Sequence, residues 1–232
     1  MSYSKKYVWK KLGPDAILWI NPVKIEFDVG TKWPNTKNQQ RTIDRWGATI
    51  PLGKKPAKIV TGLVRRFDSF IIRPESYRSP RRIEDLDNYC IVRDVVDKRH
   101  RMEQSLWYRR LTAELEKYGC ARHKGIRLFS RADIDHFFQG YVRGLIESME
   151  SSGYDLNKGG AEFGSALVAE DGSLHKSGSG YHRFFVARLV GVPSFPLLIN
   201  GVHQAWFERQ MGEKKNLSTL GRALKRVAEQ YR

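Results

Sequence analysis

Apolar and polar positions change period several times along this chain of 232 residues. From Trp19 the run Trp-Ile-Asn-Pro-Val-Lys-Ile-Glu-Phe alternates, with Pro22 interrupting it. That predicts a strand entering a turn and then a short second extended segment. Residues 28–58 are rich in Gly, Pro, Asn, Lys and Arg and predict a long loop with a short helix near residues 42–46. Residues 59–67 fit a strand or a short helix equally well, and residues 73–82 read as an exposed basic loop. From Ile83 the pattern turns helical. Over residues 103–118, Leu106, Leu111, Leu115 and Tyr118 fall near one face, and Gly119 offers a C-cap. Ser130-Arg-Ala-Asp opens a second helix with a capping pattern. Its apolar positions are Ile134, Phe137, Phe138, Tyr141, Leu145 and Met149, and Gly153 closes it.

Further along, residues 163–168 predict a short strand, Asp171-Gly172 a tight turn and residues 174–176 the returning strand. A helix follows over residues 181–190, ended by Gly191. Residues 195–199 then form a buried strand between prolines, and residues 202–211 a further helix. Leu217, Leu220, Leu224, Val227 and Tyr231 give the last helix one apolar face. The predicted fold class is α+β. A small mixed sheet with helices occupies residues 126–232, preceded by a basic extension of strands and helices over residues 1–125.

Charge sharpens this division. The formal net charge is +16, of which residues 126–232 contribute only +3, from 14 basic and 11 acidic side chains. The first 125 residues carry 27 basic and 14 acidic side chains, a balance of +13. Contact with a polyanion such as DNA or RNA and a merely solvated basic surface are both consistent with that balance. Trp19, Trp33, Trp46 and Trp107 lie among these basic residues, either as core side chains or as platforms for stacking bases. No apolar run approaches the roughly 18–20 residues of a membrane span. Cys90 and Cys120 are too few for a disulfide framework, and both are expected to be reduced. A soluble, cytoplasmic protein is the expectation, with its oligomeric state open.

The stretch with the most chemical content is Ser177-Gly-Ser-Gly-Tyr-His-Arg, where a strand meets two glycines and a helix begins at once. Glycine lets backbone N–H groups approach an anion, and a helix start adds unpaired N–H groups and a favourable dipole. Ser177 and Ser179 supply hydroxyls, and Arg183 can pair with a phosphate bidentately. His182 can act as donor, proton carrier or ligand. An ordinary strand–turn–helix connection would use the same glycines for tight packing.

Gly180-Tyr-His-Arg, the apolar helix after it and Leu189-Val-Gly-Val-Pro-Ser-Phe-Pro resemble the G-x-x-R box of the ParB/sulfiredoxin superfamily. Upstream, Leu145-Ile-Glu-Ser-Met-Glu-Ser-Ser-Gly is similar to that superfamily's L-x-x-S-I-x-x-x-G element. Downstream, Val202-His-Gln-Ala-Trp resembles the R-H-x-x-W ending of a group of ParB-like proteins. The resemblance implies an ATP or CTP site, with Mg²⁺, in which Gly180, His182 and Arg183 hold phosphate, joined by Ser177 and Ser179. Tyr181, His203 and Trp206 are expected to lie near the ligand, His203 either contacting it or satisfied by a backbone carbonyl.

The departures narrow the activity. Tyr181 stands where sulfiredoxins carry cysteine, which excludes their chemistry. Tyr181 and His182 replace the Glu and Arg of the DNA-segregation clamps, and a clamp homologue is not expected. Ser179 stands where serine-kinase-like members place an aspartate. Phosphoryl transfer needs a metal ligand and a base, for which Glu162, Glu170 and Asp171 are the candidates, Glu162 preferred; Glu208 is a further carboxylate. The spacing of His175, His182 and His203 matches no zinc motif, and no structural metal is expected. The expected function is nucleotide binding, extending to an NTP-dependent phosphotransferase or NTPase. The alternative is a nucleic-acid-binding protein, or a nuclease, that uses the basic half.

Overall fold

The computed structural model describes residues 3–30, 69–123, 125–155, 163–212 and 216–232. The long loop expected over residues 28–58 with its short helix near residues 42–46, the segment 59–67, Trp33, Trp46 and Glu162 all lie wholly or largely outside these.

The fold is α+β. Its main sheet is mixed and seven-stranded. β1 (Ile17–Ile20), β2 (Phe27–Asp28), β3 (Ile71–Ile72) and β4 (Arg81–Arg82) come from the first half, and β7 (Gly164–Val168), β8 (Leu174–Ser177) and β9 (Phe195–His203) from the second. The order is β1-β9-β7-β8-β2-β4, with β3 beside the far end of β9. The basic half therefore supplies strands to the same sheet as the glycine-rich turn. β7 lies between β8 (antiparallel) and β9 (parallel) and is buried along its whole length, as its apolar run requires. The alternating run from Trp19 forms β1, a 3₁₀ turn at Pro22–Lys24, and β2. The Arg188 guanidinium donates to the carbonyls of Pro22 (3.0 Å) and Ile25 (2.8 Å) and pairs with Glu84, which ties this turn to the helical layer.

The helices are α1 (Lys5–Leu12), α2 (Asp87–Asp97), α3 (Leu106–Tyr118), α4 (Arg131–Phe137), α5 (Arg143–Ser152), α6 (Tyr181–Leu189), α7 (Gln204–Met211) and α8 (Leu217–Gln230). Ser130 caps α4 with a full capping box, its hydroxyl receiving the Asp133 N–H and the Asp133 carboxylate receiving the Ser130 N–H. Gly119 ends α3 at φ 67°, with its N–H on the Leu115 carbonyl. Among the described residues no helix is long and apolar enough to cross a membrane.

Four local expectations are corrected. A π-helical turn, Phe138–Val142, joins α4 to α5. It adds one residue to the helical period, so Val142 and Ile146 are buried in place of Tyr141 and Leu145. In α3 the interior face carries Trp107, Tyr108 and Leu111, leaving Leu106 and Tyr118 exposed. The bulky rings win the interior because Trp107 packs edge-on against Phe137 and Phe138. β9 runs on to His203, and α7 starts one residue later with the His203 ring accepting the Ala205 N–H. That extension is possible because Gly201 lets β3 lie close: a Cβ there would come within 2.9 Å of the Phe70 carbonyl oxygen. Finally, a two-stranded hairpin, β5 (Ala121–His123) with β6 (Ile126–Leu128), stands where no element was anticipated.

Candidate functional site

The turn between β8 and α6 is clamped onto β7. Gly178 (φ 63°) and Gly180 (φ 79°) are both left-handed. A Cβ on Gly178 would sit 2.4 Å from Ser165 Oγ, and one on Gly180 only 2.8 Å from the Gly164 Cα. The glycines are needed for both conformation and space. Ser165 completes the clamp, its hydroxyl donating to the Ser177 carbonyl (2.7 Å) and receiving the Ser179 N–H (3.3 Å). The Ser179 hydroxyl is engaged with the Phe163 carbonyl (3.3 Å). The Ser177 hydroxyl is buried without a hydrogen-bond partner among the described residues.

Beneath the turn lies a group of buried polar side chains that sequence reasoning missed. Lys176 is fully buried, and its ammonium donates to the carbonyls of Ser177 and Ser179, each at 2.7 Å. It also lies 4.2 Å from the centre of the Tyr181 ring. Asp28 is its cross-strand neighbour in the β2–β8 pair and accepts the Tyr181 hydroxyl at 2.7 Å. Burial drives the Lys176 pKa down from 10.5 to about 7 against the opposing charge of Asp28. Burial also raises the Asp28 carboxyl, despite the Tyr181 hydrogen bond and the charges of Lys176 and Arg81. The Tyr181 phenol is pushed up by burial and then by Asp28. Charged residues at inward positions of short strands are the signal that could have found this group.

The three residues opening α6 point in different directions. Tyr181 faces Asp28 and a cleft of about 220 Å³, lined also by Gly30, Arg81, Asp87, Asn88 and Phe185. His182 lies against Trp107 (ring centroids 5.0 Å) and stacks on His123 (5.1 Å, 27°). Arg183 has no carboxylate partner among the described residues and acts electrostatically on Tyr141, the ring that the π turn leaves exposed. The turn thus offers an unpaired guanidinium and an aromatic wall on one side, and a polar cleft on the other.

Comparison with models of known families, with curated proteins and with solved structures finds no match to this chain. Its function has to be argued from its own geometry.

The remaining sequence candidates lie at the other end of β8. Asp171 accepts the Ser173 N–H (2.9 Å) and hydroxyl (2.7 Å) in the hairpin turn, and these bonds hold its carboxyl below the ordinary value. The Glu170 backbone carbonyl receives Arg209, and its carboxylate lies 3.9 Å from His203. Trp206 packs under the same turn, its Nε1 being 3.1 Å from where a Gly172 Cβ would stand. His203 meets the Tyr77 ring edge-on at 5.2 Å. The structure therefore groups Ser177, Ser179, Gly180 and Tyr181, splays His182 and Arg183 from them, and sets Glu170, Asp171, His203 and Trp206 apart. Among the described residues no three His, Cys, Asp or Glu side chains could together hold a metal ion.

The buried lysine makes stability depend on pH in a defined sense. Between about 7 and 10.5 the unfolded chain keeps the Lys176 proton that the folded chain releases. Unfolding then takes up protons, so stability rises with pH across that window. Urea titrations at pH 7 and pH 9 are expected to give a higher midpoint at pH 9. A Lys176→Met variant should show a smaller rise, and an equal one would remove Lys176 as the cause.

Proposed function

We propose that this protein binds a nucleoside triphosphate, such as ATP or CTP with Mg²⁺, through its phosphates at the turn from β8 into α6. The observation that carries the reading is the Arg183 guanidinium, without a carboxylate partner among the described residues, on the first turn of a helix entered through two left-handed glycines. The first N–H groups of that helix, those of Tyr181 and Arg183, have no backbone acceptor among the described residues. An anion placed over them gains N–H donors, the helix dipole and a bidentate arginine together. Lys176 supports this role indirectly, because its ammonium holds the Ser177 and Ser179 carbonyls and so fixes the turn that leads into the helix.

The resemblance of Gly180-Tyr-His-Arg to the ParB/sulfiredoxin box supports the same assignment. Turnover, as a phosphotransferase or NTPase, would further need a carboxylate to position metal or acceptor. Asp28, bonded to the first residue of α6, is the carboxylate attached to this turn.

The test is thermal unfolding with ATP, CTP, GTP or UTP, each with and without Mg²⁺, on wild type and Arg183→Ala. A hundredfold excess over Kd should stabilise the wild type by about 2.7 kcal/mol. Loss of the charge-assisted pair should weaken binding in the variant by about 1.5–3 kcal/mol. Absence of any shift with all four nucleotides would sink the reading, as would equal shifts in both proteins.

A further inference from the structure

The β5–β6 hairpin has one face turned into the protein and one turned out. Ala121 and Leu128, directly opposed, are buried, while the next pair, Arg122 and Arg127, is exposed. Like charges directly across a two-stranded ribbon repel, so this pair lowers hairpin stability. Neither guanidinium has an ion-pair partner among the described residues. Phe129, two residues beyond Arg127, continues the outer face and is 63% exposed.

The surroundings concentrate positive charge. Residues 93–131 hold 11 Lys and Arg against 5 Asp and Glu. Three carboxylates in and beside this segment are engaged locally. Asp94 receives the Leu106 N–H and Lys98, both at 2.5 Å. Asp133 receives the N–H groups of Phe129 (2.8 Å) and Ser130 (3.0 Å). Asp135 receives the Tyr108 hydroxyl at 2.5 Å. These three acids are engaged by caps, a lysine and a hydroxyl, and Arg122 and Arg127 are left to solvent.

We propose that the outer face of this hairpin, carrying Arg122, Arg127 and Phe129, is a docking surface for single-stranded nucleic acid. The paired arginines match a phosphate backbone, which supplies affinity without regard to sequence. An exposed ring on the same face stacks an unpaired base, which a duplex does not offer. An acidic peptide would satisfy the arginines and leave the ring in water. The inner side of this hairpin touches the start of α6, where His123 stacks on His182, but the outer face points elsewhere and its binding does not require nucleotide at the turn.

The experiment is fluorescence anisotropy with a labelled oligothymidylate of about 20 nucleotides, long enough to span one such face. The wild type should bind it at low salt with a steep salt dependence. Arg122→Ala combined with Arg127→Ala should weaken binding about tenfold or more and lower the log–log salt slope by about 1.4, the value for two single-strand phosphate contacts. Phe129→Ala should weaken it about tenfold with the slope unchanged. Removing the opposed charges should keep or raise the melting temperature, so weaker binding would not reflect unfolding. The proposal is overturned if the wild type does not bind the oligonucleotide, or if the double variant binds it equally well. Equal affinity for a duplex or for polyglutamate would overturn it too.

Discussion

Replacing Lys176 by methionine is expected to destabilise the fold by about 1–3 kcal/mol at neutral pH, because the part-buried Ser179 carbonyl loses its side-chain donor and the buried Ser177 carbonyl keeps only the Ser165 hydroxyl. Methionine nearly matches the shape, so a cavity contributes little. What disappears is the pair of 2.7 Å bonds to Ser177 and Ser179, together with the contact to the Tyr181 ring. Asp28 loses its buried cationic neighbour as well, and its carboxyl is expected to shift further toward the protonated form. A second consequence follows for ligand. With the carbonyls no longer held, the turn relaxes, and nucleotide affinity should fall even though Lys176 contacts no ligand. Urea denaturation of Lys176→Met, followed by nucleotide titration below its midpoint, measures both effects. Adding Asp28→Asn should recover part of the stability if the two side chains act as a unit. A loss under about 1 kcal/mol would mean that water replaces the ammonium and that the loop stands without it.

The elements that could be read from the sequence are those determined by neighbours along the chain. The capping box at Ser130 is a matter of three residues. The β7–β8 hairpin follows from an apolar run, Asp171-Gly172 and a return run. The apolar face of α8 is legible because Leu220, Leu224 and Val227 recur at helical spacing. What escaped was decided by distant partners. Gly201 looks like a break in β9 until β3 is seen beside it, more than a hundred residues earlier in the chain. The π turn conceals itself because Tyr141 and Val142 are both acceptable on an apolar face, and only packing chooses between them.

The candidate site divides along the same line. Its glycines and Arg183 were visible as a short motif, whereas Asp28 and Lys176 meet only because β2 and β8 pair in register. Each is a charged residue at an inward position of a short strand, which is a local sign, but that the two share one site follows only from the pairing. The hairpin arginines are legible as charges, but their opposition is not. It depends on a register that the short strands from Ala121 and from Ile126 reveal only once paired.

Gly180→Ala should be more damaging than Gly191→Ala, at the left-handed glycine past the other end of α6, and should cost about 3 kcal/mol or more. Two contributions add at Gly180, conformation and lack of space, and Gly191 carries only the first. Gly191, just past the other end of α6, has φ 73° against 79° for Gly180, so alanine bears a similar left-handed penalty at both, about 1–2 kcal/mol. A Cβ on Gly191 meets nothing within 4 Å. A Cβ on Gly180 meets the Gly164 Cα at 2.8 Å and its N at 3.2 Å, and these are backbone atoms of a buried central strand that cannot swing aside. Gly180→Ala must therefore push the turn off β7 and break the Ser165 clamp, displacing the α6 N–H groups from any phosphate they hold. Gly191→Ala should lower stability by its conformational penalty alone and leave nucleotide affinity intact. Chemical denaturation of both variants, with nucleotide titration of each while folded, distinguishes the two contributions. Equal destabilisation would show that the approach of the turn to β7 can relax at no cost, and unaltered nucleotide affinity in Gly180→Ala would move the phosphate site away from this turn.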